Sequence, residues 1–323
     1  MWTKIIYNKI FNINLHTEDF EQDNAVLNFS HDFNSHTAGL FAQGTMPLAD
    51  RWVLESGLRV DNTSDYGSFV LPRISLLYNV SEDTTLRIGG GLGYKEPTLF
   101  TEESEAQQFI NILPLNDSQL DAEQSAGLNV DINRSFDFHY GISLNLNLLA
   151  FYTRVDDPLH LVPQPGNLFF YSQPTDYLDS KGTEINAAWY WNDFKLFFGY
   201  THTDVEEHGP LGVNESPLIP EDRVNTVFVY EVEDDIRIGL EAYYFGQQSL
   251  NDGSRGRDYW IFGLMMEKIF EDYSLFLNFE NFSDTRQTRY ETIYTGTLAD
   301  PLFNDIYAPL DGFVINGGIK LSF

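Results

Sequence analysis

Residues 312–323 read GFVINGGIKLSF. Phe313, Ile315, Gly317, Ile319, Leu321 and Phe323 occupy one set of alternate positions; Val314, Asn316, Gly318, Lys320 and Ser322 occupy the other. Alternation at period two predicts a β-strand with one apolar face and one polar or small face. The pattern recurs at 4–16, 36–47, 52–62, 69–80, 84–95, 119–134, 138–155, 178–191, 194–203, 223–232, 236–247, 258–270 and 273–285. The run at 138–155 is the cleanest. There Tyr140, Ile142, Leu144, Leu146, Leu148, Ala150 and Tyr152 alternate with Gly141, Ser143, Asn145, Asn147, Leu149, Phe151 and Thr153. A dry core does not suit Ser143, Asn145 and Asn147 in a row on one face. A water-filled lumen does.

Connections near Ala49, Ser81, Ser135, Asn192, Asp234 and Glu271 are a few residues long. Those between them are longer, except near Asp65. Short turns at one end and long loops at the other are how outer-membrane barrels are built. The expected fold is therefore all-β: a transmembrane antiparallel up-and-down β-barrel of about fourteen strands, with short periplasmic turns and long extracellular loops. It is expected to occupy residues 1–323 as a single domain. Hydrocarbon offers no water to a free N–H or C=O, so a spanning sheet must close. The strand charges Glu55, Arg59, Arg73, Arg87, Glu184, Arg237 and Glu241 fall on the polar set and are expected to face the lumen. They would pair across the lumen wall or against a plug. Phe323, an aromatic at the end of the last strand, reads as the signal to the barrel-assembly machinery.

Composition sharpens this picture. Aromatics make up 15% of the 323 residues, with 26 Phe and 18 Tyr, as girdles at two membrane interfaces require. There is no Cys, hence no disulfide or thiolate chemistry. A net charge of −29 argues against nucleic acid. The start, MWTKIIYNKIFNINL, lacks the apolar core and cleavage site of a signal peptide, so either an export signal lies upstream or the chain is a fragment. No GxSxG, HExxH or Walker loop occurs, so no enzyme, cofactor or metal site is expected. The histidines are scattered, and His160, His202 and His208 fall near the long loops.

Three acidic stretches lack Lys and Arg: Glu18, Asp19, Glu21, Asp23 and Asp32; Glu96, Glu102, Glu103, Glu105 and Asp117; Asp204, Glu206, Glu207, Glu215, Glu221 and Asp222. They read either as solubilising surface or as divalent-cation ligands at the lipopolysaccharide layer. Phe169, Phe170, Tyr171 and Tyr177 read either as an aromatic girdle or as rings that stack on a ligand.

Several stretches carry a family pattern. Gly39-Leu40-Phe41-Ala42-Gln43 and Gly57-Leu58-Arg59-Val60-Asp61 form a strand pair. Leu71-Pro72-Arg73-Ile74-Ser75-Leu76, Gly93-Tyr94-Lys95-Glu96-Pro97-Thr98-Leu99-Phe100 and Leu120-Asp121-Ala122-Glu123-Gln124-Ser125 follow. Then come Lys181-Gly182-Thr183-Glu184 and the stretch NFENFSD at 278–284 with Tyr290 beyond it. In this order they resemble the barrel of TonB-dependent outer-membrane receptors, the energised transporters of ferric siderophores, haem and cobalamin. Such barrels have about 22 strands around a plug. The resemblance therefore implies the C-terminal part of a receptor barrel without its plug. It also implies a metal-chelate ligand, outer-membrane lipid and lipopolysaccharide as surroundings, and TonB as a partner only if a plug is supplied elsewhere. Two other readings remain: a smaller, self-closed passive pore, and a soluble all-β binding protein.

Overall fold

The computed structural model describes residues 8–24, 29–105, 109–166, 168–210, 212–297 and 300–321. The chain opens with β1 (Asn8–Asn24), β2 (Phe29–Ala49), β3 (Trp52–Thr63), β4 (Gly67–Asn79), β5 (Thr84–Lys95), β6 (Glu123–Phe138) and β7 (Ile142–Asp156). A separate hairpin, β8 (His160–Gln164) and β9 (Leu168–Ser172), follows. Next come β10 (Tyr177–Trp191), β11 (Phe194–Gly209) and the short β12 (Gly212–Glu215). The rest are β13 (Asp222–Val232), β14 (Ile236–Phe245), β15 (Tyr259–Ile269), β16 (Tyr273–Glu280), a small hairpin of β17 (Tyr294–Thr297) and β18 (Asp300–Phe303), and β19 (Val314–Leu321).

Fourteen of these form one antiparallel meander in the order β1–β7, β10, β11, β13–β16, β19, and every expected run finds its strand in it. The expected closed cylinder is present as an arc. Among the described residues β1 and β19 each pair on one side only, with β2 and β16. Each free edge leaves a row of backbone N–H and C=O groups that hydrocarbon cannot satisfy.

The largest departure from the expected spans is at the first hairpin. Residues 17–35 read as a polar loop, yet the β1–β2 ladder continues from Thr17↔His36 to Asn24↔Phe29. Outside a membrane both faces of a hairpin meet water. A ladder can then continue without alternation, and Phe20 pairs with Phe33 inside it. For the same reason β11 runs to Gly209 rather than 203. In the other direction, β7 begins at Ile142, because Tyr140 (φ 68°) and Gly141 (φ 71°) turn the chain in the left-handed region. Residues 117–119 form a 3₁₀ turn, so β6 begins at Glu123.

Register sorts the side chains into two faces. One apolar row runs Leu144–Trp189–Leu196–Phe228–Leu240–Leu264–Phe279–Ile315 across eight strands. Five of its eight members are exposed, Trp189 at 45% and Ile315 at 55% accessibility among them, and Leu144, Leu264 and Phe279 are half-buried. Four residues along, Ile132–Leu148–Ile185 continue the same face. On the other face runs Asn133–Asn147–Asn186–Gly199–Asn225–Tyr243. A soluble sheet buries its apolar side; this wall turns it outward, where only lipid removes it from water. The polar side also carries close packing. A Cβ on Gly182 would sit 2.7 Å from the Phe151 ring, so glycine lets that ring lie flat on the strand.

Candidate functional site

The polar face holds every charge expected to line the lumen. Arg59 lies beside the fully buried Asp61 (2.7 Å), which also accepts a hydrogen bond from the Tyr94 hydroxyl. Tyr94 reaches it because the β4–β5 ladder stops at Arg73↔Gly91, and its ring fills the gap, stacked on Phe69 at 3.9 Å. Arg87 faces Asp131 at 3.9 Å. Asp131 accepts from Asn133, which accepts in turn from Asn147. Glu184 accepts from Asn186, and Glu241 from the Tyr243 hydroxyl.

Near the short turns a chain of alternating charge, drawn from five strands, crosses six. Lys195 meets Glu231, Glu231 meets Arg237, Arg237 meets Glu267, and Glu267 meets Lys320. Glu55 and Arg73 differ. Among the described residues neither has an ion pair or hydrogen-bonding side-chain partner. They flank a depression of about 450 Å³ with Arg87 and Asn129. Of the seven charges expected to line the lumen, these two alone lack such a partner among the described residues.

The long connections fold into a cap. The stretch 96–122 and the β8–β9 hairpin share a dry core of Leu99, Ile112, Leu120 and Tyr171, with Phe20, Phe33, Phe109 and Phe169 packed against it. The Tyr171 hydroxyl donates to Leu99 O at 2.8 Å. The Leu113 N–H donates to Phe169 O, and the Leu161 N–H to Glu103. Gln173 donates to the carbonyls of Asp121 and Asp157 and accepts from the Asp121 N–H. Neither 96–122 nor 157–176 contains Lys or Arg. Burial and the nearby Asp121, Asp156 and Asp176 push the Asp157 carboxyl up. His160 is pulled up by Glu103, against the opposing effect of burial.

The connection 281–313 is clasped by the NFENFSD stretch. Asn281 and Asp284 take left-handed backbone (φ 45° and 52°), which Asn and Asp tolerate better than most residues. Asn281 exchanges hydrogen bonds with the backbone of Thr285, and Asp284 accepts from the Phe313 N–H beside Arg286 and Arg289. The buried Gln287 accepts from the Tyr307 and Ala308 N–H groups.

The four aromatic candidates separate. Tyr171 and Phe169 belong to the cap core. Phe170 lies between them, on the other face of the hairpin, opposite Val162. Tyr177 is opposite Asp156 and His208, in register with Ile185 and Trp189, and so stands on the apolar side of the wall. Its ring is stacked on His208 and covered by the Arg154 guanidinium at 3.8 Å. Phe323 lies outside the described residues.

No curated protein sequence matches the chain. Solved structures do. The ferric enterobactin receptor PfeA of Pseudomonas aeruginosa, in complex with enterobactin, superposes with a TM-score of 0.67 at 18% identity, over 92% of this chain and 47% of its own. The siderophore receptor PirA of Acinetobacter baumannii gives 0.66 at 17%, over 90% and 46%. The ferric-catecholate import receptor Fiu of E. coli K12 gives 0.59 at 16%, over 79% and 41%. At such identities the likeness is one of fold, and the chain spans about half the length of these structures or less. The model of the TonB dependent receptor-like β-barrel matches residues 5–282. With the lipid-facing rows and polar bore face already in place, that match decides the matter: the chain belongs to the TonB-dependent receptor-like β-barrel family.

Proposed function

We propose that the chain is one transmembrane barrel domain of the bacterial outer membrane, the C-terminal part of a receptor wall that takes up a metal chelate of the ferric-siderophore kind. The observation that carries this is the wall itself: apolar rows outside, hydrogen-bonded polar rows inside, and a folded cap over the long-loop end. Glu55 and Arg73 are the bore groups free to meet a plug, and TonB is a partner only through that plug. Phe170 is the cap aromatic placed to meet ligand. Phe323 serves the assembly machinery, and deleting it lowers assembly. The edges of β1 and β19, unpaired among the described residues, weigh against the self-closed passive pore.

Charge narrows the ligand. The cap holds Glu96, Glu103, Asp121, Asp157 and Asp176 with no Lys or Arg of its own, and the chain carries −29 overall. Such a field repels anions and steers neutral or cationic chelates inward. The test is binding of ferric chelates of graded charge to the chain in detergent, read by tryptophan quenching. Saturable binding of a neutral or cationic hydroxamate-type chelate, stronger than that of a trianionic tricatecholate, is expected. No saturable binding of any chelate overturns the receptor reading, and preference for the trianion overturns the charge argument.

A further inference from the structure

On the apolar side of the wall, above the lipid-facing rows, Asp179, Glu206 and His208 each present a ligand atom within 4.8 Å of the other two. Adjoining strands build the group: Asp179 is paired with Glu206, and Tyr177 with His208. Glu206 and His208 are two apart on β11 and so share a face. That face is the one of Ile185, Trp189 and Leu196, which places the group outside the barrel. Tyr152 and Thr183 separate it from the apolar rows, so it stands at the level of lipid headgroups.

The group is not a satisfied ion pair. His208 Nε2 and an Asp179 carboxylate oxygen are 3.5 Å apart, too far for a good hydrogen bond. Asp179 Oδ1 and His208 Nε2 are both shut off from solvent without a hydrogen-bond partner. Side chains this covered (13% and 20% accessible) do not normally leave such atoms unmatched. The spacing has another meaning. Atoms about 2.0–2.2 Å from one common ion stand roughly 3–3.5 Å from each other. The imidazole is fixed in orientation, because its ring lies on Tyr177 at 4.2 Å and Tyr177 is held from the far side by Arg154. One oxygen of Glu206 is held by Lys181 at 3.0 Å, which also holds Asp204.

We infer that Asp179, Glu206 and His208 form a site for a divalent transition-metal ion on the outer wall. An imidazole with two carboxylates suits Zn²⁺ or a close relative; Ca²⁺ prefers oxygen alone. The ion offsets the two carboxylates and matches both orphaned atoms. Its remaining positions face outward, toward phosphate oxygens of the headgroup layer. Lys181 is the competitor for Glu206. The site does not depend on what the bore transports.

The test uses the whole chain folded in detergent micelles, with Co²⁺ as an absorbing probe and Zn²⁺ as competitor. One Co²⁺ per chain, displaced by Zn²⁺, is expected. His208→Ala and Asp179→Asn each weaken binding by at least about tenfold, since even groups that only support ligands are worth that much. Lys181→Met binds at least as tightly as the parent, and His202→Ala binds equally. Each variant is first shown to keep its heat-modifiable migration, which separates lost binding from lost folding. The site is overturned if the parent takes up no Co²⁺, if His208→Ala binds like the parent, or if Lys181→Met or His202→Ala abolishes uptake.

Discussion

The wall and the cap are stabilised in opposite ways. The wall has no dry interior: Trp189, Leu240 and Ile315 are exposed, and its polar face is a lattice of Asn, Glu and Arg. Its strands are held by backbone ladders, and the apolar rows find their favourable surroundings only in lipid. The cap is built like a small soluble domain, with Leu99 and Ile112 at 1% and 0% accessibility and Tyr171 bonded into the core. One chain thus uses two solvents, and a substitution should report which solvent its site faces.

The sharpest way to break the contrast is a charge on the wall. Leu148→Arg on the apolar face is expected to cost roughly 2–4 kcal/mol of folding stability in bilayers. Asn147→Arg, one residue away on the polar face, should cost far less. Urea titration of the protein folded in lipid vesicles compares them, and equal losses would erase the two-faced wall. The matching change in the cap is Leu99→Ala, which leaves a cavity and costs about 2–5 kcal/mol there. Limited proteolysis should cut within 96–122 while heat-modifiable migration stays intact. Tyr171→Phe is smaller, about 1 kcal/mol, because Leu99 O loses its donor while the ring still packs. Protection of the same stretch in hydrogen exchange reads it.

The smallest effect is one of pH. Glu103 raises His160 above its ordinary value in the folded cap. The protonated ring therefore favours the cap. That stabilisation is complete below about pH 6.5 and is lost as pH rises through the raised value. Hydrogen exchange of the β8–β9 hairpin should quicken between acid and alkaline pH beyond the intrinsic rate change. Glu103→Gln should flatten that excess. Asp157, also raised, acts in the same direction at lower pH.

The same contrast explains what could be read from the sequence. The meander was legible because lipid and lumen impose period-two alternation, and the fourteen runs match it strand for strand. The cap was not, because Tyr171 meets Leu99 and Ile112 through long-range contacts that leave no period behind. Residues 17–35 misled because polarity reads as loop, while a hairpin in water can be polar on both sides. The charges Arg59, Arg87 and Arg237 could be assigned a face, but not their partners, which depend on register across strands. The group at Asp179, Glu206 and His208 left one trace, an acid and a histidine two apart on one strand. Its third member comes from the neighbouring strand, where no sequence spacing reaches.

The absence of cysteine permits a direct measurement of the two-faced wall. Single cysteines are placed in turn at Leu144, Asn145, Leu146, Asn147, Leu148 and Leu149, each carrying a fluorophore, in the protein folded into vesicles. Quenching at 144, 146 and 148 by lipid-borne nitroxide, and at 145, 147 and 149 by a water-soluble quencher, is the expected result. Shielding of 144, 146 and 148 from both quenchers, with 145 and 147 open to water, would contradict the account.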